Sequence, residues 1–263
     1  MPPLSLAALS YLVFLGLAVA SMPVYAFLGR RADPDASQRG SSFLMGAGGF
    51  LVHWFMWFVT PAERLFLRLG FAPDVFNFAG LLFGLLAGVA IGMGDLPLGA
   101  WMLTLTSVCD IMDGRIARAT RSTSDYGGFL DSTLDRFVEA FAFIGFAVYL
   151  RHLPVGPAVA TAALAGSLLV SYARARGESL GVTCKEGLMQ RAERLVLMTL
   201  VCLLDGTVVR VTHHTRGRLV FWVMVVIAVG TLITAIHRTA WISLRLRARD
   251  RERAAELGRP QVE

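Results

Sequence analysis

The sequence predicts an all-α integral membrane protein, and three observations carry that reading. Of the 263 residues 55% are hydrophobic and 17% charged, with a mean hydropathy of +0.59, a balance foreign to most soluble domains. Uncharged runs of about 17 to 25 residues recur, the length that crosses a hydrocarbon core of roughly 30 Å at 1.5 Å per residue. A backbone in lipid must satisfy its hydrogen bonds internally, and the alternating pattern of a membrane barrel is missing, so the spans are expected to be helices.

The first apolar run, residues 4–28, lacks the basic segment that opens a signal peptide. Arg30, Arg31 and Arg39 follow it instead, which suits an uncleaved helix with its N-terminus outside and its C-terminus in the cytosol. The segment 43–59, "FLMGAGGFLVHWFMWFV", is short for a span, and His53, Trp54 and Trp57 suit the headgroup level. In the following "PAERLFLRLG", Leu65, Phe66 and Leu69 stand against Glu63, Arg64 and Arg68, so 43–72 reads as an interfacial amphipathic segment.

Further runs at about 76–94, 98–118, 128–150, 157–176, 195–211 and 219–238 predict six more spans. Turn chemistry separates them at Asp95-Leu96-Pro97, His152-Leu153-Pro154, Gly156-Pro157 and Thr212 to Gly217. After Arg238 the chain mixes charges of both signs, as a solvated cytosolic helix end does, with attraction to anionic headgroups as an extra role. The chain thus divides into an N-terminal helix and linker (1–42), the interfacial segment (43–72), a six-helix membrane domain (73–241) and a charged tail (242–263).

This threading puts 21 of the 25 Lys and Arg on one side and leaves Arg151, Arg210, Arg216 and Arg218 on the other. The positive-inside rule makes the richer side the cytosol. The basic surplus follows topology, so no nucleic-acid partner is expected. Cys109, Cys184 and Cys202 are odd in number and far apart, which excludes a disulfide framework and a zinc site.

One stretch breaks the oily pattern. "CDIMDGRIARATRSTSDYGGFLDSTLDRF", residues 109–137, holds Asp110, Asp113, Asp131 and Asp135. Asp110 and Asp113 stand three apart at the end of one span, Asp131 and Asp135 four apart at the start of the next, so each pair shares a helix face. A polar connector of about ten residues makes the two helices antiparallel neighbours whose carboxylates converge on the cytosolic side. Converging carboxylates in low dielectric demand cations. Oxygen ligands select Mg²⁺, Mn²⁺ or Ca²⁺, and four Asp can hold two ions, the usual device for stabilising entering and leaving oxygens at phosphorus. Gly114, Gly127 and Gly128 leave room for a bulky group, and Arg118 shares a face with Gly114, so a phosphate or pyrophosphate substrate is expected. Of the other acids, Asp125 reads as a solvated cap, Glu139 as either a partner beneath the site or half of an ion pair, and Asp205 as structural.

The pattern Asp110-x₂-Asp113-Gly114-x₂-Ala117-Arg118-x₈-Gly127-x₃-Asp131-x₃-Asp135 resembles the signature of the CDP-alcohol phosphotransferases without a departure. The resemblance implies a six-transmembrane-helix core, here with an extra N-terminal helix, usually a homodimer. Its cytosol-facing cavity would bind a CDP-linked lipid donor and two divalent cations, Mg²⁺ or Mn²⁺. Members displace CMP by attack of an acceptor hydroxyl on the lipid-side phosphate. Carried over by position, it makes Asp110, Asp113, Asp131 and Asp135 the metal ligands and Asp135 also the general base. Asp110, Asp113, Gly114, Ala117, Arg118 and Gly127 would line the CDP pocket.

"SYARAR" (171–176), "RAERL" (191–195), "IHRTAW" (236–241) and "TPAERLFLRLGFAPD" (60–74) further resemble the phosphatidylinositol phosphate synthase branch, whose acceptor is inositol 1-phosphate. By that resemblance Ser171, Arg174, Arg176, Arg194 and Arg238 would surround the acceptor phosphate. Arg174 stands where that branch commonly has Lys, which keeps the charge and changes the hydrogen-bond geometry. Glycerol 3-phosphate, giving phosphatidylglycerol phosphate, is the competing acceptor. A cation transporter is the alternative of a different class, and the absence of a sequence repeat and the one-sided placement of the acids speak against it.

Overall fold

The computed structural model describes residues 5–28, 49–184, 186–212 and 215–256. Among them there is no strand. The helices are α1 (Leu6–Leu28), α2 (Gly49–Arg68), α3 (Pro73–Met93), α4 (Leu96–Ala119), α5 (Asp125–Tyr149), α6 (Gly156–Ser179), α7 (Arg191–Thr212) and α8 (Arg218–Glu256), with a 3₁₀ turn at Leu150–His152. Helices α1, α3, α6 and α8 are long and apolar enough to cross a membrane. Helices α4, α5 and α7 are of similar length and carry the charged residues of the site.

Local chemistry explains the boundaries. Pro sits in the first turn of α3, α4 and α6, where its missing N–H leaves no bond unmade. Asp95 caps α4 by accepting from the Leu98 amide at 3.2 Å, and Ser124 caps α5 by accepting from the Gly127 amide at 3.1 Å. Gly94, at φ 87°, closes α3 in the left-handed conformation that a glycine adopts without strain.

Six helices form a closed ring in the order α4, α3, α5, α6, α8, α7 and back to α4. Its filling includes Ile91, Leu103, Phe143, Phe146, Met198, Met224 and Ile227, each no more than 1% exposed. Without a hydrophobic drive between helices in lipid, close backbone approach holds such a bundle together. Side chains at Gly88 and Gly145 would collide with the opposing backbone, so these two residues let α3 and α5 touch directly.

This packing corrects one sequence expectation. Helices α4 and α5 share little packing along their length; both pack mainly against α3, and they approach each other at the end where their carboxylates converge. The short connector keeps their ends near without deciding their partners. Helix α2 runs without a break from Gly49 through Pro61 to Arg68, inside the segment 43–72 read as interfacial, and residues 43–48 lie outside the described ones. Helix α8 continues for 39 residues to Glu256, because no breaker follows Arg238 and the Arg, Glu and Ala of 245–256 are good helix formers.

Helix α1 lies outside the ring against α4 and α2. Its anchors are polar as well as apolar: the Tyr11 hydroxyl meets the Thr104 hydroxyl at 2.7 Å, Trp101 donates to the Ser10 hydroxyl at 3.0 Å, and Trp54 donates to that of Ser21 at 2.9 Å. Helix α2 packs on α4 at the end that carries the acids, through Met56, Val59, Cys109, Met112 and Ile116. The three cysteines are buried and unpaired.

The far end of the ring is fastened by a buried clasp. Asp205, 1% exposed, accepts from the Tyr149 hydroxyl at 3.0 Å and from the Gly217 amide at 3.1 Å. Arg216 stacks on the Tyr149 ring and donates to the Gly94 carbonyl at 2.6 Å. Four chain segments meet there: the ends of α3 and α5, the body of α7, and the turn before α8.

Candidate active site

Periodicity places Asp110 and Asp113 on one face of α4 and Asp131 and Asp135 on one face of α5, and the ring turns these faces inward at the same end. Carboxylate oxygens of Asp110, Asp131 and Asp135 lie within 4.8 Å of one another. Asp113, 6% exposed, accepts from the Gly114 amide at 2.5 Å and stands outside this trio.

A cation already lies across the cluster. Arg191, the first residue of α7, places Nη1 2.8 Å from Asp110 and Nη2 2.5 Å from Asp135. Arg136 lies 3.9 Å from Asp135 and donates back to the Ser132 carbonyl. Three carboxylates drawn this close need more than one positive charge, and a guanidinium spanning two of them occupies the place of a hard cation bound by oxygens. The donor set fits divalent ions on that ground.

Directly beneath is a second, drier layer. Arg194, 1% exposed, makes a bidentate contact with Glu139 Oε1 at 3.0 and 2.6 Å, and Ser167 donates to Glu139 Oε2 at 2.5 Å. Glu139 is one turn past Asp135 and Arg194 one turn past Arg191, so α5, α6 and α7 are tied together under the acids. Buried charges need such pairing.

The remaining candidates are spread around this end. Gly114 and Ala117 are partly exposed on α4 and Arg118 is exposed at its end. Gly127 faces the Ser124 cap and Gly128 open space. Ser171 is partly exposed, Arg174 pairs with Glu178 at 2.9 Å, and Arg176 is exposed. Arg238, 3% exposed, donates to the Glu186 carbonyl at 2.9 Å and the Val170 carbonyl at 3.2 Å, pinning the 186–190 turn to α6. Of the five acceptor-phosphate candidates, Arg194 and Arg238 are thus buried and bonded within the protein, while Arg174 is exposed and paired with Glu178.

Two basic residues beside the motif stand outside the candidate site residues read from the sequence. Arg191 is one, although its three-residue spacing from Arg194 already put it on the same helix face. Arg115 is the other. It is 9% exposed and binds Glu63 of α2 through Nε at 2.7 Å and Nη2 at 2.6 Å, with Thr60 and Met56 as further contacts. This clip joins the amphipathic helix to the residue after Gly114.

Comparison with known proteins shows the family. The model of the CDP-alcohol phosphatidyltransferase family matches residues 71–233, and the chain belongs to that family of metal-dependent membrane transferases. Among its relatives, the phosphatidylinositol phosphate synthase of Streptomyces avermitilis is 34% identical over 212 residues, covering 75% of this chain and 83% of the relative. The archaetidylinositol phosphate synthase of Methanothermobacter thermautotrophicus is 32% identical over 197 residues, 71% of this chain and 93% of the relative. The crystal structure of Mycobacterium tuberculosis phosphatidylinositol phosphate synthase with manganese and citrate is similar at a TM-score of 0.62 and 26% identity, covering 70% of this chain and 88% of that one. The same enzyme with CDP-DAG bound gives 0.60 and 25%, over 70% and 92%.

Proposed function

We propose that this protein transfers the phosphatidyl group of CDP-diacylglycerol to inositol 1-phosphate and releases CMP. The observation that carries the reading is the convergence of Asp110, Asp131 and Asp135, within the full family signature, at one end of a helical ring. The relatives named for inositol phosphate lipids support the acceptor, and the CDP-DAG complex of a similar structure supports the donor.

Asp110, Asp113, Asp131 and Asp135 would hold two divalent cations, which when bound supply charge neutralisation at the pyrophosphate and at the entering and leaving oxygens. Gly114, Ala117 and Gly127 leave room for the nucleotide, and Arg118 faces its phosphates. Arg174 and Arg176, with Ser171, bind the acceptor phosphate by charge-assisted hydrogen bonds. Asp135 accepts the proton of the acceptor hydroxyl as its oxygen bonds to the lipid-side phosphorus, and the bond from that phosphorus to CMP breaks. Arg194 and Arg238 act from beneath, by fixing Glu139 and the 186–190 turn. The site faces the cytosol, the N-terminus lies outside, six helices cross the membrane besides α1, and two copies associate.

CMP release by the purified protein with CDP-diacylglycerol tests this. Inositol 1-phosphate should support turnover that disappears with EDTA and returns with Mn²⁺ or Mg²⁺. Release with glycerol 3-phosphate or serine alone would sink the acceptor assignment.

A further inference from the structure

Arg191 holds the two carboxylates that a cation site at this place requires. Its side chain is 23% exposed, against 1% for the Arg194 side chain one turn deeper. It stands at the first residue of α7, beside the 186–190 turn, so it can swing without unwinding a helix. A guanidinium does not lose its proton, so it cannot yield its place by neutralising; it leaves only when stronger cations take the oxygens. Once detached it is a partly buried charge without its carboxylates, and such a charge needs an anion.

We propose that Arg191 is an exchangeable counter-ion. It holds Asp110 and Asp135 together while cations are absent and is displaced when they bind. Its freed guanidinium then meets the phosphate of the acceptor, so cation loading and acceptor binding reinforce each other, each raising affinity for the other by the same factor. The inference rests on the carboxylates being the cation site, as proposed above.

The test is Mn²⁺ binding by electron paramagnetic resonance on the full-length protein in detergent, without donor, paired with thermal melting in EDTA. Arg191→Gln should bind Mn²⁺ about tenfold tighter than the unaltered protein, because the competitor is gone. It should also melt at a lower temperature in EDTA, with the gap closing as Mn²⁺ saturates. Arg191→Lys, which keeps the charge but cannot bridge both carboxylates, should fall between; if the Gln variant does not fold, a Lys variant with unaltered affinity overturns the proposal. Millimolar inorganic phosphate, the probe for the acceptor's phosphate, should tighten Mn²⁺ binding in the unaltered protein and not in Arg191→Gln. An equal phosphate effect in both overturns the acceptor half. Asp135→Asn separates the layers: if it loses Mn²⁺ binding while Arg191→Gln binds no tighter, the exchange fails and the cation site stands. If the unaltered protein binds no Mn²⁺, the cation-site reading falls and this inference with it.

Discussion

At the residue scale the end of the ring is two charge layers with different duties. The upper one, Asp110, Asp131 and Asp135 with Arg191 and Arg136, is partly exposed. Asp135→Asn should abolish CMP release while donor binding, followed by CDP-lipid protection against thermal melting, largely survives. The lower layer, Glu139, Arg194 and Ser167, is closed and satisfied. Arg194→Met should cost about 3–5 kcal/mol, because it strands the Glu139 carboxylate in a dry place, and pairing it with Glu139→Leu should restore most of that, read as melting temperature. The four Asp were legible in the sequence because spacing alone puts them on helix faces. The duties of Arg191, Arg194 and Arg238 were not, since positive-inside topology and phosphate binding ask for the same residue types. Only the rotation of α7 and α8 reveals that Arg191 reaches Asp110 and Asp135 while Arg194 and Arg238 are bonded deeper in the protein.

Elements obeyed local rules where local rules decide. Apolar runs, first-turn prolines and caps placed α1 and α3 to α7 close to where the chain puts them. The one misreading lies where partners far along the chain choose. Helices α4 and α5, joined by a short connector, are held apart along their length by α3, whose glycine at 88 meets Gly145 of α5. Helix α2 keeps its course through Pro61 because Met56 and Val59 are buried on α4 and Glu63 is fixed by Arg115. Breaking that clip with Glu63→Gln leaves a charged donor only partly satisfied and should cost about 1–3 kcal/mol. Because Arg115 follows Gly114, the expected kinetic mark is a raised KM for the CDP-lipid with kcat retained; loss in kcat alone would show that the clip is only structural.

At the scale of the whole molecule, the ring closes on itself without α1, which sits outside through Tyr11, Trp101 and Trp54. A chain lacking residues 1–28 should therefore fold and keep metal-dependent CMP release per mole of purified protein. Inactive, aggregated product would assign α1 a part in holding α4. The clasp of Asp205, Tyr149, Arg216 and Gly217 bears on how the ring can breathe. Like tongs riveted at one tip, the bundle has a fulcrum at that end, and any widening for a bulky lipid must be spent at the tip that carries the acids. Amide hydrogen exchange should reveal the gradient as slow exchange near Tyr149 and Asp205 and faster exchange near Asp131 and Arg191. Asp205→Ala should flatten it, blunting the jaws without touching them.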